Sequence, residues 1–131
     1  MGLVERRALK AFQDSRFPEL VGQINEAAGF AVDLEVDWQS LAVDDYAHLY
    51  DEAWTKVYFQ PLIEALKAIT IDDMGKEALR EGLKQVVIRD SGTRQTGFSG
   101  GVLTFHRNPV SNLDDWEERK QELQTALEKG L

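Results

Sequence analysis

The residues Gly97, Phe98, Ser99, Gly100 and Gly101 match the pattern G-x-S-x-G, which presents a nucleophilic serine in many hydrolases. In those enzymes a strand enters a strained turn and a helix follows, whereas here the glycines lead into a stretch with the pattern of a strand. An extended chain also places His106 roughly 20 Å from Ser99. We therefore interpret the pattern as the glycine-rich tip of a hairpin and reject a catalytic serine.

The segment 90–100 is rich in Gly, Ser and Thr, and it offers hydroxyls, backbone amides and one arginine. These groups are the minimum needed to hold an anion. The candidate anion-binding residues are Ser91, Thr93, Arg94 and Thr96. The segment lacks the lysine and the following helix of a P-loop. We favour a flexible hairpin loop, and a loop of this length in a compact domain is often functional.

Asp44, His48 and Glu52 stand four residues apart, so that on a helix they lie one above another. Neighbouring side chains in such a row can chelate a divalent metal. Further ligands would have to come from elsewhere, and the second histidine, His106, is predicted on a strand. We favour a solvated polar face here, and the sequence predicts no metal and no cofactor.

Four aromatic residues also recur at every fourth position: Tyr46, Tyr50, Trp54 and Tyr58. This spacing places them on one side of a long helix, beside a row of aliphatic residues. Burial in the core is the interpretation we favour. The apolar side covers nearly half of the helix, so that an uncovered edge with Tyr46 or Tyr58 would face a ligand pocket or a partner.

Apolar and polar residues alternate strictly over residues 30–38, which is the pattern of a strand with one buried face. The polar side carries Asp33, Glu35 and Asp37. If no basic side chain across the sheet balances them, these carboxylates form a candidate docking face for a basic protein.

The remaining elements follow from hydrophobic period and from helix-capping residues. Two helices are predicted over 3–14 and 18–28. A third starts at 43–45 and is kinked or restarted at Pro61. A fourth follows Asp72 or Asp73, and the last follows Asn112. Two further strands are predicted at 86–88 and 101–107, joined by the loop 90–100. The expected fold is a single α+β domain over 1–131, with a small three-stranded, mainly antiparallel sheet and helices packed on one face.

Composition narrows the classes of partner. The 131 residues include 15 Lys and Arg, 23 Asp and Glu and no cysteine, for a net charge of −8. A negative field repels phosphate backbones, so that nucleic acid is not an expected partner. The lack of cysteine excludes disulfides and thiol chemistry and fits a reducing cytoplasm. We also expect no membrane contact, because no segment resembles a secretion signal or a bilayer span.

No combination of residues identifies a reaction, so we favour a binding protein over an enzyme. The leading hypothesis is a non-catalytic binding or adaptor module of a bacterial cytoplasm, monomeric or homodimeric, whose acidic surface meets a basic protein partner. The alternative is a small-molecule-binding domain with a pocket between the sheet and the aromatic helix 44–60. A third hypothesis, a small enzyme, requires His48, His106 and nearby carboxylates to converge in space.

Overall fold

The computed structural model describes residues 1–131 and contains seven α-helices and four β-strands. The helices are α1 (Leu3–Asp14), α2 (Arg16–Ala28), α3 (Trp38–Leu41), α4 (Tyr50–Trp54), α5 (Gln60–Ile69), α6 (Asp73–Gly82) and α7 (Trp116–Gly130). The strands are β1 (Leu34–Val36), β2 (Gln85–Arg89), β3 (Gln95–Ser99) and β4 (Val102–His106). A 3-10 turn, Ala47–Leu49, precedes α4, and a π-helical segment, Thr55–Phe59, joins α4 to α5.

The four strands form one mixed sheet in the order β1-β2-β4-β3. The pairs β1/β2 and β2/β4 are parallel, and only β3/β4 is antiparallel. The predicted α+β class is therefore confirmed, but the prediction of a three-stranded, mainly antiparallel sheet is wrong. The four helices α3 to α6 between β1 and β2 explain the parallel pairing, since parallel neighbours need a long crossover connection.

The missing strand lies inside the segment predicted as a loop. β3 contains Thr96, Gly97 and Phe98, so it has a single large apolar residue and gives no clear two-residue period. The actual turn between β3 and β4 consists of Gly100 and Gly101, whose φ angles are 60° and 83°. Glycine tolerates this left-handed region, and the tight turn therefore needs only two residues.

The alternation over residues 30–38 predicts burial better than it predicts pairing. From Phe30 to Asp37, each apolar residue is half-buried and each polar or small residue between them is exposed. Only Leu34–Val36 pairs in register with β2, and the last backbone hydrogen bond to β2 comes from Asp37, directly before α3. The Asp37 carboxylate accepts a hydrogen bond of 3.3 Å from the Ser40 amide and so caps α3 at Trp38.

The aromatic helix is interrupted in a specific way. It begins at Ala47 and not at 43–45, and it continues to Ile69 through the π-helical segment. Pro61 cannot donate the usual backbone hydrogen bond, and its ring crowds the carbonyl four residues before it. The wider π turn, which ends at Phe59 two residues before Pro61, fits this constraint, since π turns bond five residues back rather than four.

Helices cover only one face of the sheet. Val86, Ile88, Leu103 and Phe105 point to that face, are fully buried and belong to one core of 25 residues. Tyr58 packs edge-on against Phe105, with ring centroids 6.1 Å apart. The residues between them in the strands, such as Val87 and Thr104, remain half-buried. The sheet therefore keeps one face open to water, as the sequence predicts.

Candidate functional site

The acidic row lies at the outer edge of the open sheet face. Asp33, Glu35 and Asp37 are all exposed on or beside the edge strand β1. In the sheet register Glu35 aligns with Val87, and Val87 aligns with Thr104. Half-buried, uncharged side chains thus occupy the centre of the open face, and carboxylates border it on one side.

Only part of this negative charge is balanced. Arg89 Nη2 lies 3.7 Å from Asp37 Oδ2, and both side chains are nearly half exposed. The Gln85 side-chain amide donates to Asp33 at 3.4 Å, and Glu35 has no ion pair. A lone exposed pair of this kind contributes little, so the row remains available to a cationic partner.

The candidate anion-binding loop crosses the carboxyl ends of β2 and β4. It brings Ser91 Oγ within 3.0 Å of His106 Nδ1 and within 3.1 Å of the Thr93 hydroxyl. Burial lowers the pKa of His106, and the nearby Arg89 lowers it further against the opposite effect of Asp90, so the neutral imidazole is favoured. His106 therefore acts as a hydrogen-bonding partner of the loop.

Arg94 and Thr96 join a network that sequence reasoning missed. Glu122 on α7 bridges two guanidinium groups, those of Arg94 and Arg107. Arg107 is 6% exposed, and it also donates to the Thr96 hydroxyl at 2.6 Å and to the Gln95 carbonyl at 3.1 Å. Arg94 Nη2 lies 2.7 Å from Glu118 Oε1. The four-residue spacing of Glu118 and Glu122 on α7 is the sequence signal that points to this network.

Arg119 is the second buried arginine, and it has a different environment. Its guanidinium donates to the backbone carbonyls of Asn112, at 2.8 Å, and Ser111, at 2.9 Å. No carboxylate lies within ion-pair distance of it, and burial lowers its pKa from the ordinary value. Desolvation of a charge without a close counterion explains this direction.

These side chains line a cleft of about 190 Å³ at the carboxyl ends of the parallel strands. We call it the arginine cleft. Its lining contains no hydrophobic residue and consists of Asp90, Gly92, Thr93, Arg94, Arg107, Asn108, Ser111, Asn112, Asp115, Glu118 and Arg119. An open groove of about 790 Å³ between β3 and α7 shares Arg94, Arg107 and Glu118 with it.

The aromatic stripe divides between core and surface. Tyr50, Trp54 and Tyr58 are buried, whereas Tyr46 is 39% exposed. Tyr50 stacks on Trp54 with centroids 4.4 Å apart, and the Trp54 indole donates to the Leu41 carbonyl at 3.3 Å. None of the main cavities is lined by these rings. Tyr50, Trp54 and Tyr58 therefore pack in the core, as the favoured interpretation expects, and Tyr46 lies at the surface.

The possible metal ligands do not form one helical row. Asp44 lies in the turn before the helix, His48 in the 3-10 turn and Glu52 in α4. Glu52 pairs instead with Lys56 at 2.8 Å. No group of three His, Asp or Glu side chains comes close enough to hold a metal ion. His48 and His106 lie in different elements, the 3-10 turn and β4.

Comparison with known proteins gives one partial similarity. Over 83 residues, or 63% of this chain, the sequence is 28% identical to the DNA replication licensing factor MCM5 of Arabidopsis thaliana. The aligned part is 11% of that protein, so the chain spans only a small share of this relative. No family model matches the chain, and no solved structure matches it.

None of the helices combines the length and the apolar character needed to cross a bilayer.

Proposed function

We propose that this protein is a non-catalytic binding module whose open sheet face docks a basic segment of a protein partner. The observation that carries the proposal is the row Asp33, Glu35 and Asp37 at the free edge of an uncovered sheet face. Only Asp37 has a basic neighbour within ion-pair distance.

The geometry of β1 favours an extended partner. β1 is an edge strand, and an edge strand can accept a further strand through its unpaired backbone groups. A strand added there would run beside the three carboxylates. Lysine or arginine at alternate positions of that partner would meet the acidic row, while the net charge of −8 steers a cationic chain toward the protein.

The cellular setting belongs to the same proposal. The absence of cysteine in the 131 residues fits a reducing compartment, and we propose a bacterial cytoplasm for it. We propose that the module acts as a monomer or homodimer. The similarity to MCM5 covers 11% of that protein, so the proposal draws on the surface of this chain and not on replication licensing.

The test uses a fluorescently labelled peptide of alternating lysine and valine as the basic partner. Its binding to the full chain is measured by fluorescence anisotropy at low and at high salt. We expect saturable binding that weakens steeply as salt rises. The triple variant Asp33→Asn, Glu35→Gln and Asp37→Asn should lose most of this binding.

A second triple variant is the matched control. Glu77→Gln, Glu81→Gln and Glu128→Gln remove the same amount of charge from exposed helical positions without an ion pair. This control should keep most of the affinity. Equal losses in both variants would show that net charge alone attracts the peptide, and a salt-independent affinity would contradict the proposed docking face.

A further inference from the structure

The arginine cleft contains one buried guanidinium that forms no ion pair within the protein. Three guanidinium groups line it, and two of them, those of Arg94 and Arg107, pair with Glu118 or Glu122. The third, Arg119, is 6% exposed and has only backbone carbonyls as partners. Asp115 and Glu118 act on this charge from beyond ion-pair distance. A buried charge without a close counterion is costly, and an anionic group in contact with Arg119 would compensate it.

The carboxylates of the cleft add a second requirement. Asp90 accepts a hydrogen bond of 3.0 Å from the Gly92 amide but forms no ion pair, and Asp115 forms none either. A bare polyanion would be repelled by them. A ligand that suits both kinds of group carries hydrogen-bond donors beside its anionic group.

Position and size agree with a small ligand. The cleft lies at the carboxyl ends of the parallel strands β2 and β4, where α/β sheets commonly bind ligands. Its volume of about 190 Å³ is below the range of pockets that hold drug-sized molecules. Its lining contains no hydrophobic residue, so apolar surface contributes nothing to recognition.

We propose that the arginine cleft binds a small polar molecule that carries a carboxylate or phosphate group beside ammonium or hydroxyl groups. Arg119 and Arg94 hold the anionic group, and Asp90 and Asp115 accept hydrogen bonds from the donors. Arg94 is exposed enough to move onto the ligand. The site is separate from the acidic sheet face, so either proposal can fail without the other.

The test is a titration of the isotope-labelled full chain, followed by the amide signals in NMR spectra at low ionic strength. Three probes are compared: inorganic phosphate, glycerol phosphate and the zwitterion serine. We expect saturable shifts confined to residues 90–94 and 107–119. Glycerol phosphate or serine should bind more tightly than inorganic phosphate. A higher affinity for glycerol phosphate identifies the anionic group as a phosphate, and a higher affinity for serine identifies it as a carboxylate.

Variants assign the effect to the arginines. Arg119→Gln should weaken binding by at least about tenfold, as expected for loss of a charge-assisted hydrogen bond, and Arg119→Lys should weaken it less. Arg94→Gln should also weaken it, and this exposed position leaves the fold intact even if Arg119→Gln does not fold. Arg80→Gln on α6 is the control and should bind as the original chain does. Linear shifts spread over all exposed basic residues, or no shift with any probe, would overturn the proposal.

Discussion

The hydroxyl of Tyr58 donates a hydrogen bond of 2.6 Å to the backbone carbonyl of Arg107, 49 residues further along the chain. Tyr58 belongs to the π-helical segment, and Arg107 directly follows β4. This contact fixes the start of the loop that carries one wall of the arginine cleft. A residue that sequence patterns assign to the core thus also positions a candidate site.

Replacement of Tyr58 by phenylalanine should lower the free energy of unfolding by about 2 kcal/mol, because it leaves a buried carbonyl without its donor. Urea denaturation followed by circular dichroism measures the change. Tyr46→Phe is the control, since Tyr46 is exposed and its hydroxyl makes no hydrogen bond within the protein. The control should stay within about 0.5 kcal/mol of the original chain. Equal effects at both positions would contradict the role of the Tyr58 contact.

Replacement of Glu122 by glutamine should also destabilise the protein, because it removes the carboxylate that faces the buried guanidinium of Arg107. The expected loss is about 2 kcal/mol, less than for a deeply buried pair, because Glu122 is 29% exposed. Arg94→Gln removes the other cation that Glu122 contacts, but Arg94 is 58% exposed. That control should cost less than about 1 kcal/mol in the same urea experiment. If Arg94→Gln lowers the free energy of unfolding more than Glu122→Gln does, the Glu122–Arg107 contact is not the more stabilising of the two contacts of Glu122.

Local patterns predict burial in this chain more reliably than they predict strand partners. The alternation over 30–38 correctly places Val32 and Val36 toward the core side, although only three residues pair with β2. β3 escapes detection because its register with β4, rather than its own composition, makes it a strand. Pairing between strands is a tertiary property, and short polar strands carry little local signal of it.

The arginine cleft shows the same limit for a site. The sequence singles out Arg94 and Thr96 in a loop with the composition expected for anion binding. Arg107 and Arg119 approach them only because β2 and β4 are parallel and α7 packs beside β3. The antiparallel pairing predicted from the sequence places the carboxyl ends of β2 and β4 at opposite ends of the sheet. It therefore does not predict that these arginines come together.

The stability of the protein should depend on pH in the alkaline range. Burial, together with the carboxylates Glu5 and Asp44, raises the pKa of Tyr50 from 10.0 to about 12, and burial raises the pKa of Tyr58 as well. A raised pKa in the folded state means that folding favours the neutral phenol. The contribution of Tyr50 to stability is complete below the pKa of a tyrosine in the unfolded chain, about 10. It is lost as pH rises through the folded-state pKa of Tyr50, about 12.

Urea denaturation at a series of pH values, with tyrosinate absorbance recorded in parallel, measures this dependence. The free energy of unfolding should decline above about pH 10, and Tyr50→Phe should show a smaller decline because the phenol of Tyr50 no longer contributes. Tyr46→Phe serves as the control and should retain the full decline. A stability that stays constant between about pH 10 and pH 12 would contradict the raised pKa of Tyr50.

The turn between β3 and β4 should tolerate alanine unequally at its two glycines. Gly100 and Gly101 both have positive φ, but a Cβ on Gly100 meets nothing within 4 Å, whereas one on Gly101 lies 3.0 Å from the Gly82 carbonyl and overlaps the Lys84 side chain. Gly100→Ala should therefore cost about 1 kcal/mol, the strain of the left-handed conformation alone. Gly101→Ala should cost about 3 kcal/mol, since steric overlap adds to that strain. Gly97→Ala is the control, because Gly97 has an ordinary φ and open space around its Cβ position, and it should leave the urea midpoint nearly unchanged. If Gly100→Ala and Gly101→Ala lower the free energy of unfolding by similar amounts, the contact with the Gly82 carbonyl relaxes freely, which contradicts the expected difference.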